Sequence, residues 1–148
     1  MIMKSWIVVA DSTRARIFAH NKQHTQLEEI TDLIHPAGRQ REVDQQTDRP
    51  GRSFDSAGAG RHAMEPHTEW KHKESDKFSR QVSTYLTEHI GHFEDLTIIC
   101  PPEFLGRLRS HLVEAVSNKI IQELTKNMIH QDREAIRTTV YNAKRNAE

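Results

Sequence analysis

Ser5-Trp6-Ile7-Val8-Val9-Ala10-Asp11, followed after Ser12 and Thr13 by Arg14-Ala15-Arg16-Ile17-Phe18-Ala19-His20, sets the fold. The first run is short, apolar and β-branched, as a buried strand is. Asp11-Ser12-Thr13 reads as a turn, because Asp and Ser side chains bond neighbouring backbone groups. The second run alternates at its start and reads as a strand; so short a link makes the two a hairpin. Residues 94–100 read as another buried strand. Pro101-Pro102 stops it and opens a helix, since proline is tolerated in a first turn. Phe104, Leu105, Leu108, Leu112, Ala115 and Val116 continue that helix in one apolar stripe toward Asn118, its C-terminal cap. Phe78, Val82, Tyr85, Leu86 and Ile90 are the stripe of a long helix over 67–91, with Gly91 as its cap. A weaker amphipathic helix covers 132–144 through Ile136, Val140 and Ala143. Residues 26–34 fit helical spacing through Leu27, Ile30, Leu33 and Ile34 but also suit a third strand, and 119–124 stay open between helix and strand. The order implies a mixed α/β fold, with an antiparallel meander first and helix-connected strands after it.

The 148 residues make one domain. Hydrophobic residues are 35% of the chain, below the usage of an ordinary globular domain, so a sizeable stretch stays out of the core. Lys and Arg number 21 and Asp and Glu 21. A protein that coats nucleic acid by bulk charge is excluded, whereas a local basic patch is not. The single cysteine, Cys100, excludes a disulfide framework and a Cys-rich zinc site. There is no run of 18 apolar residues, so no membrane insertion is expected. Met1–Ala10 carries one Lys and a short apolar run, followed at once by Asp11, Arg14 and Arg16. That is not a signal peptide, and the expected compartment is the cytoplasm. Ten histidines would make the chain net positive in mild acid.

The segment 35–66 is of another kind. His35-Pro36 opens it, Glu65-Pro66 closes it, and only seven of residues 36–65 are apolar. Such a stretch buries too little to offset its ordering entropy, and the expectation is a long mobile loop within the domain. Arg49, Arg52 and Arg61 offer forked donors suited to phosphate. Gly51, Gly58 and Gly60 let backbone approach a ligand closely, with Ser53, Asp55 and His62 among them. A helix beginning after Pro66 adds positive dipole character. Together these describe a binder of phosphate or RNA backbone; the plainer alternative is a solvated loop. Gly58-Ala59-Gly60 is not a Walker loop, which ends in Gly-Lys-Ser/Thr. His62 is the candidate for chemistry, and a triad with Ser53 and Asp55 would need geometry that sequence does not fix. No metal or other cofactor is expected. His62, His67 and His72 are five apart, and only His89 and His92 share a helix face. Asp11 is more simply a turn residue than a metal ligand, Cys100 an inert core thiol, and Arg107 and Arg109 part of a solvated face.

Three stretches carry a resemblance: the strand pair Trp6 to Phe18, the text Asp48-Arg49-Pro50-Gly51-Arg52-Ser53-Phe54-Asp55 to Gly60-Arg61-His62-Ala63-Met64-Glu65-Pro66, and Pro101-Pro102-Glu103-Phe104-Leu105-Gly106-Arg107-Leu108-Arg109. Over nearly the whole chain the sequence resembles the bacterial family of proteins required for attachment to host cells. That family is similar in turn to the middle domain of archaeal and eukaryotic peptide-chain release factors, an RNase H-like α/β fold. The resemblance implies a three-strand meander, hence a strand at 26–34, and a strand at 119–124. The whole order becomes β-β-β-α-β-α-β-α. It also implies the ribosome or tRNA as partner and, through the family's name, an accessory role in attachment, which the lack of a signal peptide or membrane span makes an indirect one. In release factors the loop before the long helix carries a Gly-Gly-Gln tip that positions water against the peptidyl-tRNA ester. The matching stretch here is Gly58-Ala59-Gly60-Arg61-His62, and no Gln follows the glycines. The first expectation is therefore an RNA- or ribosome-associated binding module acting through 48–66. The alternatives are an esterase on peptidyl-tRNA or a related ester and a direct attachment factor. The oligomeric state is left open.

Overall fold

A computed structural model describes residues 4–21, 26–35 and 57–147, with side chains of the last stretch from Thr68 to Asn146. Three strands come first: β1 (Lys4–Ala10), β2 (Arg14–Asn21) and β3 (Glu28–Ile34). Helix α1 (Ala57–Glu88) and a 3-10 turn (Ile90–His92) lead to β4 (Asp95–Ile99). Helices α2 (Pro102–His111) and α3 (Glu114–Ser117) lead to β5 (Ile120–Leu124), and α4 (Arg133–Ala147) follows. The five strands form one mixed sheet in the order β3-β2-β1-β4-β5. β2 runs antiparallel to both β1 and β3, whereas β4 is parallel to both β1 and β5.

The opening apolar run is continuous because β1 is central and covered on both faces. Trp6, Val8 and Ala10 face one core with Leu96, Ile98, Phe78, Val82, Leu86, Phe104 and Leu108. Ile7 and Val9 face the other, with Phe18, Ile99, Ile129, Ile136 and Val140. Helices α1 and α2 thus cover one face and α4 the other. The expected turn is present: Asp11 Oδ1 accepts from the backbone N–H groups of Thr13 and Arg14, both at 2.9 Å. Residues 26–34 and 119–124 contain strands, not helices, at the two edges of the sheet.

Four expectations are corrected. The long helix begins at Ala57 rather than 67, so residues 57–66 are helix and not loop. Ala57, Ala59, Ala63, Met64 and Glu65 are good helix formers, and extending an already nucleated helix costs little per residue. Pro66 lies inside that helix and lacks the N–H that would bond four residues back. The rest of the expected loop, residues 36–56, lies outside the described residues. At the other end α1 stops at Glu88, and Gly91 sits in the 3-10 turn without a left-handed backbone, so it is not the cap. Lys119 serves the emerging chain instead: its Nζ donates to the carbonyls of Ile90 at 2.8 Å and Phe93 at 2.7 Å. Finally, the stripe from Phe104 to Val116 is two helices, because Leu112 and Val113 are extended. The break frees the His111 carbonyl, which accepts from Ser83 Oγ at 2.8 Å, and Asn118 caps only the short α3.

Phe78 is fully buried and packs its ring 5.9 Å from that of Phe104. Phe78→Ala is expected to lower the unfolding free energy by about 3–5 kcal/mol, from the transfer energy forgone and the cavity left behind. Urea unfolding followed by Trp6 fluorescence checks this.

Candidate functional site

Of the residues that sequence singles out, Arg49, Gly51, Arg52, Ser53 and Asp55 lie outside the described residues. Gly58, Gly60, Arg61 and His62 are on the backbone of α1. That helix has 32 residues, about 48 Å at 1.5 Å each, against about 23 Å for the seven residues of β1. More than half of it must run past the sheet. Its C-terminal end is tied to the amino edge, where Tyr85 and His89 approach the Trp6 ring at 6.2 and 6.1 Å. The excess length is therefore at the N-terminal side, beyond the carboxyl ends of β1 and β4. From Thr68 onward the first buried side chain is Phe78.

Where α1 leaves the sheet, two histidines grip it. His35 directly follows β3, and its backbone N–H donates to the Thr13 carbonyl at 2.9 Å. Its ring lies 5.6 Å from that of Phe78. Its Nε2–H donates to Glu74 Oε2 at 2.6 Å, and both side chains are nearly buried. At the end of α2, His111 Nε2–H donates to Asp76 Oδ1 at 2.8 Å. Glu74 and Asp76 are two residues apart, about 200° around the helix, so the grips fall on opposite flanks. The His35 bond holds the Glu74 carboxyl below its ordinary value, and burial partly opposes it. The His111 bond does the same for Asp76, with Arg80 and Arg107 adding attraction. Neither grip is visible in sequence. Partners 39 and 35 residues apart leave no local pattern, and His35 reads only as the opening of a polar stretch.

Between α1 and the edge strand β3 lies an open groove of about 430 Å³, lined by Leu33, Lys77, Arg80, Gln81, Tyr85 and Glu88 among others. Lys77 and Arg80 reach back to Glu74 and Asp76 at 3.3 and 3.6 Å, yet remain about two-thirds exposed. The other candidates are committed elsewhere. Burial pushes the Cys100 thiol up to about 12, as an inert core thiol requires. Arg109 is exposed, as a solvated face implies, and is paired there with Glu123. His89 Nδ1–H donates to the Tyr85 carbonyl at 2.8 Å. Among the described residues no group of three His, Cys, Asp or Glu side chains is placed to hold a metal ion. No described helix is long and apolar enough to cross a membrane.

Comparison with known proteins gives a family. The family described as "Protein required for attachment to host cells" matches residues 6–140. No curated protein matches the chain. One solved structure, titled "Archaeal protein", aligns with a TM-score of 0.46 at 10% identity over 97% of this chain. The alignment spans 38% of that structure's length.

Because Glu74 and Asp76 titrate below their ordinary values when folded, their pairs stabilise the fold above the ordinary carboxylate range. That contribution disappears as pH falls through the lowered values. The variant His35→Ala/His111→Ala should unfold at lower urea than the wild type at pH 6. The gap should close as pH is lowered below about 4, which urea titrations at stepped pH measure directly.

Proposed function

We propose how this chain, which belongs to the family of proteins required for attachment to host cells, acts: as a cytoplasmic binding module that engages RNA backbone, on the ribosome or on tRNA. Its contact surface is the segment 48–66, and any part it plays in attachment is indirect, through RNA-linked control of surface components. The observation that carries this reading is the length of α1 relative to the sheet. About 31 Å of helix, residues 57–77, precedes Phe78, where the helix joins the core. A helix of that length carries Gly58, Gly60, Arg61 and His62 away from the body. Arg49 and Arg52 precede them by a few residues. Forked guanidinium groups suit phosphate oxygens, and glycines admit close backbone approach.

Two further features support kinship with the release-factor middle domain. A three-strand meander followed by two helix-connected parallel strands fits an RNase H-like arrangement. The Gly/Arg segment also precedes the packed part of the long helix, where a release factor carries its tip. The zero net charge is compatible with this, because RNA binding through 48–66 needs only the cations of that one segment.

The test is binding of the wild type and of Arg52→Ala/Arg61→Ala to single-stranded RNA and to purified ribosomes across a salt series. Each phosphate that is no longer neutralised should flatten the slope of log affinity against log salt by about 0.7. The double variant should therefore flatten it by about 1.4 and bind more weakly throughout. A wild-type protein that ignores both RNA and ribosomes at low salt sinks the reading.

A further inference from the structure

We infer that one flank of α4 is a second contact for RNA, on the sheet face opposite α1; the inference rests on the reading of this chain as an RNA-binding module. Helix α4 packs Ile136 and Val140 into the core of its own face. Counting about 100° per residue from Ile136, Val140 stands at about 40°. Arg133, Lys144, Arg137, Tyr141 and Arg145 then fall between about 60° and 180°. The opposite flank, from about 200° to 300°, holds only Ala, Thr and Asn side chains. Every cation of the helix is therefore on one side of its buried stripe.

Little on the helix neutralises that side. Its one anion, Glu134, pairs with Arg137. Asp132, just before the helix, is engaged at its end, where Oδ1 accepts from the Ala135 N–H at 2.8 Å. Among the described residues Arg133, Lys144 and Arg145 have no carboxylate partner. Helix stability explains only part of this placement. Lys144 and Arg145 stand in the last turn, where a cation suits the negative end of the helix dipole. Arg133 stands in the first turn, at the positive end, where a cation is unfavourable. It spends one donor on structure, from Nη1–H to the Leu27 carbonyl at 3.3 Å, and the residue is otherwise exposed.

These features select the occupant. From Arg133 to Arg145 the flank runs about 18 Å, the reach of several successive phosphates at about 3.4 Å each along one strand. Cations spread over that length suit a polyanion better than one small anion. Tyr141 lies among them, 56% exposed, with the Arg145 guanidinium 6.0 Å from its ring centroid. An exposed ring set between cations is a platform on which a base stacks while its neighbours hold the backbone. A membrane surface fits less well. The apolar residues that α4 would have to insert, Ile136 and Val140, are already buried in the core.

Binding to single-stranded RNA across a salt series tests this. Lys144→Gln/Arg145→Gln leaves the core untouched and is expected to melt like the wild type. It should flatten the slope of log affinity against log salt by about 1.4, at about 0.7 for each phosphate no longer neutralised. Added to Arg52→Ala/Arg61→Ala, it should flatten the slope by the same further amount, as separate contacts do. Tyr141→Ala is expected to weaken binding about tenfold with little change of slope, because stacking releases no counterions. A wild type that ignores RNA overturns this inference together with the reading it rests on. If Arg52→Ala/Arg61→Ala lowers affinity and slope while the α4 variants match the wild type, the inference alone falls. It falls too if the α4 variants lose binding to phosphatidylserine vesicles and keep that to RNA.

Discussion

Everything in this molecule is arranged around a strand that is covered on both faces and hydrogen-bonded on both edges. β1 pairs with β2 on one side and β4 on the other, and Trp6 to Ala10 are all at most 3% exposed. A strand in that position cannot be finished by a hairpin alone, because a second apolar layer is needed above and below it. The chain meets this need with α1 and α2 on the Trp6 face and α4 on the Ile7 face. The low apolar content is consistent with this: the buried hydrophobic residues are concentrated in the central strands and the inner stripes of those helices.

Helix α1 is held at separated points, which fixes its direction. At the amino edge Tyr85 and His89 stack on each other with ring centroids 4.1 Å apart, beside Trp6. Just beyond, Lys119 joins the carbonyls of Ile90 and Phe93 and lies over the Phe93 ring. At the carboxyl edge the His35 and His111 grips prevent the helix from rolling either way about Phe78. No residue from Thr68 to Lys77 is buried, so this part of the helix is not needed to fill the core. A segment so anchored at its base is suited to presenting whatever its first turns carry.

Elements whose identity depends on local pattern are legible in the sequence. The run Trp6–Ala10, the Asp11 turn and the stripe through Phe78, Val82 and Leu86 each announce their own conformation. The strands at 28–34 and 120–124 are not legible from residues alone. Both are edge strands, half exposed, and Leu27, Ile30, Leu33 and Ile34 mimic helical spacing; only the family likeness selects strand. The start of α1 is hidden because glycines and Pro66 are local signals, whereas helix extension depends on the packed turns that follow. The break at Leu112 is hidden because the freed His111 carbonyl is satisfied by Ser83, 28 residues away in sequence. The same separation conceals His35–Glu74, His111–Asp76 and Lys119. Each is an interaction between elements, and no window along the chain contains both partners.

The described body holds several groups that chemistry would use, and each is engaged in holding the fold. Imidazole–carboxylate pairs resemble the orienting half of a hydrolytic triad. Here the two pairs lie on opposite flanks of one helix and so cannot converge on one substrate atom. Each imidazole donates its Nε2–H to the carboxylate that fixes the helix. Asp11, at the end of β1 where an open α/β sheet commonly receives ligands, directs Oδ1 to two backbone N–H groups and to the Thr13 hydroxyl at 3.1 Å. Cys100, at the end of the neighbouring strand, is held as the neutral thiol by burial. Each of these groups has a structural partner or setting that explains its position. What core packing leaves unexplained among the described residues is the stretch of α1 from Thr68 to Lys77, none of whose side chains is buried.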